Sequence, residues 1–138
     1  MKRNATAVWE GSLKEGNGKL TTESNVLSNT QYSYKTRFES GNGTNPEELI
    51  AAAHAGCFTM QLTAYLNESG YRVASLETKC NVDFQNGSVV SSHLSVIGRV
   101  DDISTEAFQE HVQKAEKNCP ISRLLNTEIS SHATLVKN

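Results

Sequence analysis

Long apolar runs are missing from this chain. None of its 138 residues belongs to an uninterrupted stretch approaching the roughly eighteen apolar residues of a membrane-crossing helix, so no membrane partner is expected. An excess of one charge is missing too. Thirteen Lys and Arg stand against fifteen Asp and Glu, a formal net charge of −2. The basic residues are scattered singly, so nothing tracks a phosphate backbone and nucleic acid is not an expected partner. Lys2 and Arg3 open like a secretory leader, but the apolar run from Ala5 to Trp9 is short and Glu10 ends it, so the expected location is cytoplasmic. Cysteine is scarce. Cys57, Cys80 and Cys119 form an odd, sparse set, which excludes a secreted disulfide framework. No Cys-x-x-Cys or His-x-x-x-His pair supplies zinc spacing; only His54 and Cys57 lie at helical spacing, and no metal is expected.

What remains reads as one domain spanning 1–138, long enough to bury about two-thirds of its unfolded surface. Strands are expected over 5–10, 19–24 and 31–38, the last from its alternating Tyr32 and Tyr34. A long helix follows from Pro46 to about Asn67, with Gly70 placed to end it in a left-handed conformation. Strands over 75–84 and 89–100 form a hairpin across Asn86-Gly87. A helix over 105–117 has Ser104 as its N-cap, a short one runs from Cys119-Pro120 to about Leu125, and a last strand covers 128–136. The order βββ-α-ββ-α-α-β is an α+β pattern.

The long helix is the informative element. Asn45 as N-cap, Pro46 at the first helical position and Glu48 three residues after the cap make a capping box. Glu47, His54 and Gln61 recur every seven residues and form a polar line, with Cys57 on its margin beside Ile50. The apolar residues Leu49, Phe58, Met60, Leu62 and Leu66 spread around the cylinder, so burial on most sides is expected. Glu47 and Cys57 are about 15 Å apart along a straight helix and cannot touch within one chain. The small residues Ala51, Ala52, Ala53, Ala55 and Gly56 between them permit close helix packing. Two copies crossing antiparallel near Ala52 would bring Glu47 of one level with Cys57 of the other, giving a homodimer with the thiol near the boundary. Packing of the same alanines on the chain's own sheet is the alternative.

Thiol chemistry sets the next expectation. Cys119 precedes Pro120 at a helix start, where free amides and the dipole favour a thiolate. Cys57, deep in a helix, has no such help, and Arg37 at the end of the third strand is the candidate cation to acidify it. His54 is expected to be a core or seam histidine rather than a general base, and Cys80 a core strand residue.

These residues carry a resemblance. "TRFESGNGTNPEELIAAAHAGCF", followed some sixty residues later by "KNCPIS", is similar to the osmotically inducible protein C (OsmC) family, related to the organic hydroperoxide resistance (Ohr) proteins. The OsmC branch fits best, since Arg37 lies in the "TRFE" segment, and the likeness runs over essentially the whole chain. It implies an OsmC-like α+β fold in an intertwined homodimer and a peroxidase acting on organic hydroperoxides better than on hydrogen peroxide, in oxidative or osmotic stress defence. In that pattern Cys57 matches the peroxide-reacting cysteine, Cys119 the resolving cysteine that closes a disulfide with it, and Arg37 with Glu47 the polar pair beside the reactive sulfur. No cofactor is implied beyond an external dithiol reductant, with a lipoyl-bearing protein as a candidate. Ile50, Phe58 and Met60 are candidates for the apolar pocket from their helix positions. From the residues alone, a cysteine hydrolase or acyl-transferase and a non-catalytic dimeric small-ligand-binding protein stay open beside the peroxidase.

Overall fold

A computed structural model describes residues 1–137, and the chain divides into two compact units, Met1–Leu49 and Ile50–Asn138. In the first unit, β1 (Ala5–Glu10), β2 (Asn17–Thr22) and β3 (Thr30–Tyr32) form an antiparallel sheet in that order. Gly18 stands opposite both Trp9 and Tyr32 in the register, and a Cβ there would strike both rings. Leaving out that carbon lets the Trp9 and Tyr32 rings meet edge to face at 5.6 Å.

The expected third strand is cut short. After Tyr32 the chain turns into α1 (Tyr34–Phe38), so Arg37 sits on a helical turn and not on a strand end. The cause is a capping box: the Ser33 hydroxyl accepts from the Thr36 N–H and the Thr36 hydroxyl accepts from the Ser33 N–H. Tyr34 and Phe38 then fall four apart on one helix face, with ring centroids 4.8 Å apart. The same aromatic spacing fits a strand, which is why pattern alone misassigns it. The element order is therefore βββ-α-α-ββ-α-α-β, still α+β.

α2 (Pro46–Glu68) starts at the end of the first unit and supplies the first element of the second. Its cap is half of what the sequence predicts. Asn45 Oδ1 accepts from the Glu48 N–H at 2.8 Å, but the Glu48 carboxylate takes the Thr44 hydroxyl instead of the cap amide. By length and composition α2 is apolar enough to cross a membrane, with an 18-residue window of mean hydropathy 1.2. A search for unbroken apolar runs misses this because His54, Gly56, Thr59 and Gln61 interrupt it. In this fold His54, Phe58, Leu62 and Leu66, spaced four apart, are buried. Burial on most sides is not observed within one chain: Ala52, Ala53, Gly56 and Met60 are exposed.

Gly70, at φ 85°, closes α2 as expected. β4 (Val73–Gln85) and β5 (Ser88–Val100) then pair antiparallel, turning at Asn86 (φ 51°) and Gly87 (φ 80°), both left-handed as a type I′ turn requires. α3 (Thr105–Asn118), capped by Ser104, and α4 (Pro120–Leu124) make the crossover that lets β6 (Glu128–Leu135) pair parallel to β5. On β5 the even positions Ser92, Leu94, Val96, Gly98 and Val100 point inward. Of these, Leu94, Val96 and Val100 join Phe58, Leu62 and Leu66 of α2, Phe108, Val112 and Ala115 of α3, and Cys119 in one buried core.

Candidate active site

Cys57 precedes Phe58 in the buried stripe of α2, so it lies at the margin of the core, half-buried. Cys119 is fully buried. It ends α3, donating its N–H to the Ala115 carbonyl, and caps α4, where its sulfur accepts the Ser122 N–H at 3.3 Å. Pro120 at the first position of α4 needs no hydrogen-bond partner there. This arrangement makes the two thiols neighbours: Cys57 and Cys119 are both reduced, and the Cys119 thiol and the Ile121 amide lie near enough to act on the ionisation of Cys57. Burial pushes the Cys57 thiol above its ordinary range, the Ile121 amide works against that, and the neighbouring Cys119 adds to it. Helix position alone leads one to expect a near-ordinary thiol that Arg37 would acidify; within one chain, a partly buried seat beside a second thiol makes it a weaker acid.

Arg37 and Glu47 are brought together within the first unit. Arg37 Nη2 donates to Glu47 Oε1 at 2.7 Å and its Nε reaches both carboxylate oxygens, at 3.1 and 3.3 Å. This fork fixes the plane of the guanidinium. Beside it lies a cavity of about 230 Å³ walled by Trp9, Leu13, Tyr32, Tyr34, Phe38 and Arg37 among others. The pocket residues expected on α2 do not converge in one chain. Phe58 is completely buried in the core, Met60 is 77 % exposed, and two residues of helix turn them about 200° apart. Ile50 is half-buried.

His54 is completely buried, as a core histidine, and both ring nitrogens are engaged: Nδ1 with Ser92 Oγ at 2.6 Å and Nε2 with Ser122 Oγ at 2.8 Å. Ser122 Oγ lies 3.2 Å from Cys119 Sγ, and Ser92 Oγ 3.2 Å from Cys80 Sγ. Cys80 is half-buried on β4 and packs against the core, and its thiol also meets the Ser92 hydroxyl. Sequence reasoning passed over Ser92 and Ser122. Ser92 left one signal: a polar residue in phase with Leu94 and Val96 on the inward face of a strand must find a buried partner. Among the described residues, no three His, Cys, Asp or Glu side chains gather where they could hold a metal.

The sequence profile of the family described as OsmC-like protein matches residues 39–132. This chain belongs to the OsmC-like family. Peroxiredoxin OsmC of Escherichia coli (strain K12) is 39 % identical over 132 residues, 93 % of this chain and 92 % of that relative. Organic hydroperoxide resistance protein-like 2 of Staphylococcus epidermidis is 28 % identical over 90 residues, 62 % of each chain. Among solved structures, an OsmC-like protein from Mycoplasma pneumoniae gives a TM-score of 0.72 at 16 % identity, covering 99 % of this chain and 98 % of that one. An organic hydroperoxide resistance protein from Elizabethkingia anophelis gives 0.69 at 21 % identity, covering 100 % and 99 %. These two share the OsmC-like fold, and the profile match includes Glu47, Cys57 and Cys119, while Arg37 falls just before it.

Proposed function

We propose that this OsmC-like chain is a thiol-dependent peroxidase that reduces organic hydroperoxides to alcohols. The coarser part, a peroxidase-type redox role, is supported by relatives named peroxiredoxin OsmC and organic hydroperoxide resistance protein. The single observation that carries the finer reading is that two free thiols, Cys57 on α2 and Cys119 between α3 and α4, are neighbours, with Cys119 near enough to act on the ionisation of Cys57.

In this reading the Cys57 thiolate attacks the terminal peroxide oxygen, the O–O bond breaks, and the departing alkoxide takes a proton to become the alcohol. Cys57 is left as a sulfenic acid. Cys119 then attacks that sulfur, the S–O bond breaks, and a disulfide and water result. An external dithiol returns both thiols by exchange, supplying the two electrons, so the cycle draws on no cofactor. Arg37, held flat by Glu47, keeps the reactive sulfur anionic and binds the peroxide oxygens. Since burial and Cys119 make Cys57 a weaker acid, this cation is the element that offsets them. In the proposed homodimer the pair reaches Cys57 of the other copy, and the exposed Ala52, Ala53 and Gly56 on α2 provide a helix face that admits a second backbone. The aromatic cavity beside Arg37 takes the hydrocarbon of the substrate.

Steady-state assays with hydrogen peroxide and bulky organic hydroperoxides, each with mono- and dithiol reductants, test the reading. Turnover should favour the organic substrates and require a dithiol. Cys57→Ser should remove all peroxide consumption, and Cys119→Ser should stop turnover after one oxidation. Activity surviving in Cys57→Ser, or no consumption by the wild-type chain, would sink it.

A further inference from the structure

The third cysteine and the buried histidine belong to one hydrogen-bonded chain that ends on the reactive pair. Cys80 Sγ meets Ser92 Oγ at 3.2 Å, Ser92 meets His54 Nδ1 at 2.6 Å, His54 Nε2 meets Ser122 Oγ at 2.8 Å, and Ser122 Oγ meets Cys119 Sγ at 3.2 Å. Cys119 in turn neighbours Cys57, on whose ionisation it acts. Each serine hydroxyl has one proton and two partners, and neutral imidazole has one N–H, so two proton orderings satisfy the whole chain. In the first, the Cys119 S–H donates to Ser122, Ser122 donates to Nε2, and Nδ1–H donates to Ser92, which donates to Cys80. In the second, every link is reversed, and Ser122 donates to the Cys119 sulfur, which supplies no proton to the chain; this is the only ordering open to a sulfur without one.

The first ordering fits a Cys119 thiol, and the second fits a thiolate or a disulfide. We infer that His54, acting through Ser122, is a positioning and proton-transfer residue for Cys119, and that its ring tautomer follows the oxidation state of that sulfur. During closure of the disulfide, the Cys119 electron pair forms the S–S bond and hydroxide leaves Cys57. The Cys119 proton passes to Ser122 Oγ as the Ser122 proton passes to His54 Nε2. The imidazolium then passes its Nδ1 proton to Ser92 as Ser92 passes its own to Cys80, the half-buried Cys80 gives its former proton to solvent, and the departing hydroxide takes one from solvent, so the products are disulfide and water and the ring keeps its proton on Nε2. Burial keeps the imidazole neutral at rest, and the charged group acting on it, Glu116 of α3, favours the brief imidazolium. Cys80 anchors the far end, where its own burial holds it as a thiol. A fully buried imidazole with both nitrogens bonded to hydroxyls is a fixed relay, not a side chain free to reach solvent.

The kinetic part rests on the peroxidase reading, and the tautomer part does not, so their failures can be told apart. Reduced wild-type, Ser122→Ala and His54→Gln chains are treated with cumene hydroperoxide and quenched in the presence of dimedone. Mass spectrometry then follows sulfenic acid and disulfide separately. Ser122→Ala keeps the backbone N–H that caps with Cys119 and removes only the hydroxyl. Both variants should slow disulfide closure at least tenfold more than they slow sulfenic acid formation, and an unchanged ratio in folded variants overturns the inference. If the wild-type chain does not react, the peroxidase reading fails, and nitrogen NMR of His54 decides the inference on the wild-type chain alone. The reduced chain should carry its proton on Nδ1 and the diamide-oxidised chain on Nε2; one tautomer in both states overturns it.

Discussion

His54 and Ser92, 38 residues apart along the chain, hold each other at 2.6 Å inside the core, with the imidazole completely buried. Burial lowers the proton affinity of this ring, and Glu116 opposes that only in part. Below the ordinary histidine pKa of about 6.5 the unfolded chain takes up a proton here that the folded chain refuses, so the folded state is the poorer proton binder. The stability from this site is therefore present above about pH 6.5 and is lost as pH falls, with a slope of up to about 1.4 kcal/mol per pH unit. Urea unfolding between pH 7 and 5 should show a steeper fall for the wild-type chain than for His54→Gln. Equal slopes would mean that the ring is not held neutral.

Gly98 on β5 faces the Phe108 ring so closely that a Cβ would collide with it, with Leu76 Cδ2 only 3.2 Å away on another side. Phe108 is 1 % exposed and packed into the core, so it has nowhere to swing. Gly98→Ala should cost about 1–3 kcal/mol through overpacking. Phe108→Leu in the same chain should recover part of that loss, a coupling that urea denaturation of the single and double variants would reveal.

Most of the second unit was legible because local chemistry and long-range packing agree there. Asn86-Gly87 specifies its turn, Ser104 caps α3 through the Ala107 N–H, and Gly70 ends α2. The end of the third strand was illegible because Tyr34 and Phe38, four apart, satisfy strand and helix spacing alike; the two hydrogen bonds between Ser33 and Thr36 decide it. The motif placed Cys57 and Cys119 in one site, but the partners of His54 lie 38 and 68 residues away in sequence, and no local pattern names them. The apolar pocket was sought on α2 by helix position. Periodicity cannot tell which face of a helix its own chain covers, so it leaves Phe58 open to pocket and core alike, and in the structure it is completely buried in the core.

Arg37 and Glu47 meet through three nitrogen–oxygen contacts, two of them from Nε. Lysine keeps the charge and loses the fork. The pair is partly exposed, so Arg37→Lys should change stability by less than about 1 kcal/mol. Turnover should nevertheless fall at least tenfold, because the peroxide oxygens lose a fixed planar partner. Paired measurements of thermal unfolding and peroxidase rate separate the two effects, and wild-type turnover in Arg37→Lys would remove the planar fork from the mechanism.

Gly56 offers the sharpest test of whether two copies share a site. It lies mid-helix on the exposed face of α2, and a Cβ added there meets no heavy atom within 4 Å in its own chain. For an isolated chain, Gly56→Leu should be harmless or favourable, since leucine gains roughly 0.5–1 kcal/mol over glycine in a helix interior. In a dimer whose α2 helices cross near Ala52, the same side chain stands where the partner backbone must approach. Sedimentation of the Gly56→Leu chain should then show folded monomer where the wild type is dimeric, with helical content retained and peroxide turnover lost together. An active wild-type monomer would place the whole reaction within a single chain, and an active Gly56→Leu dimer would show that the α2 helices do not cross at this face.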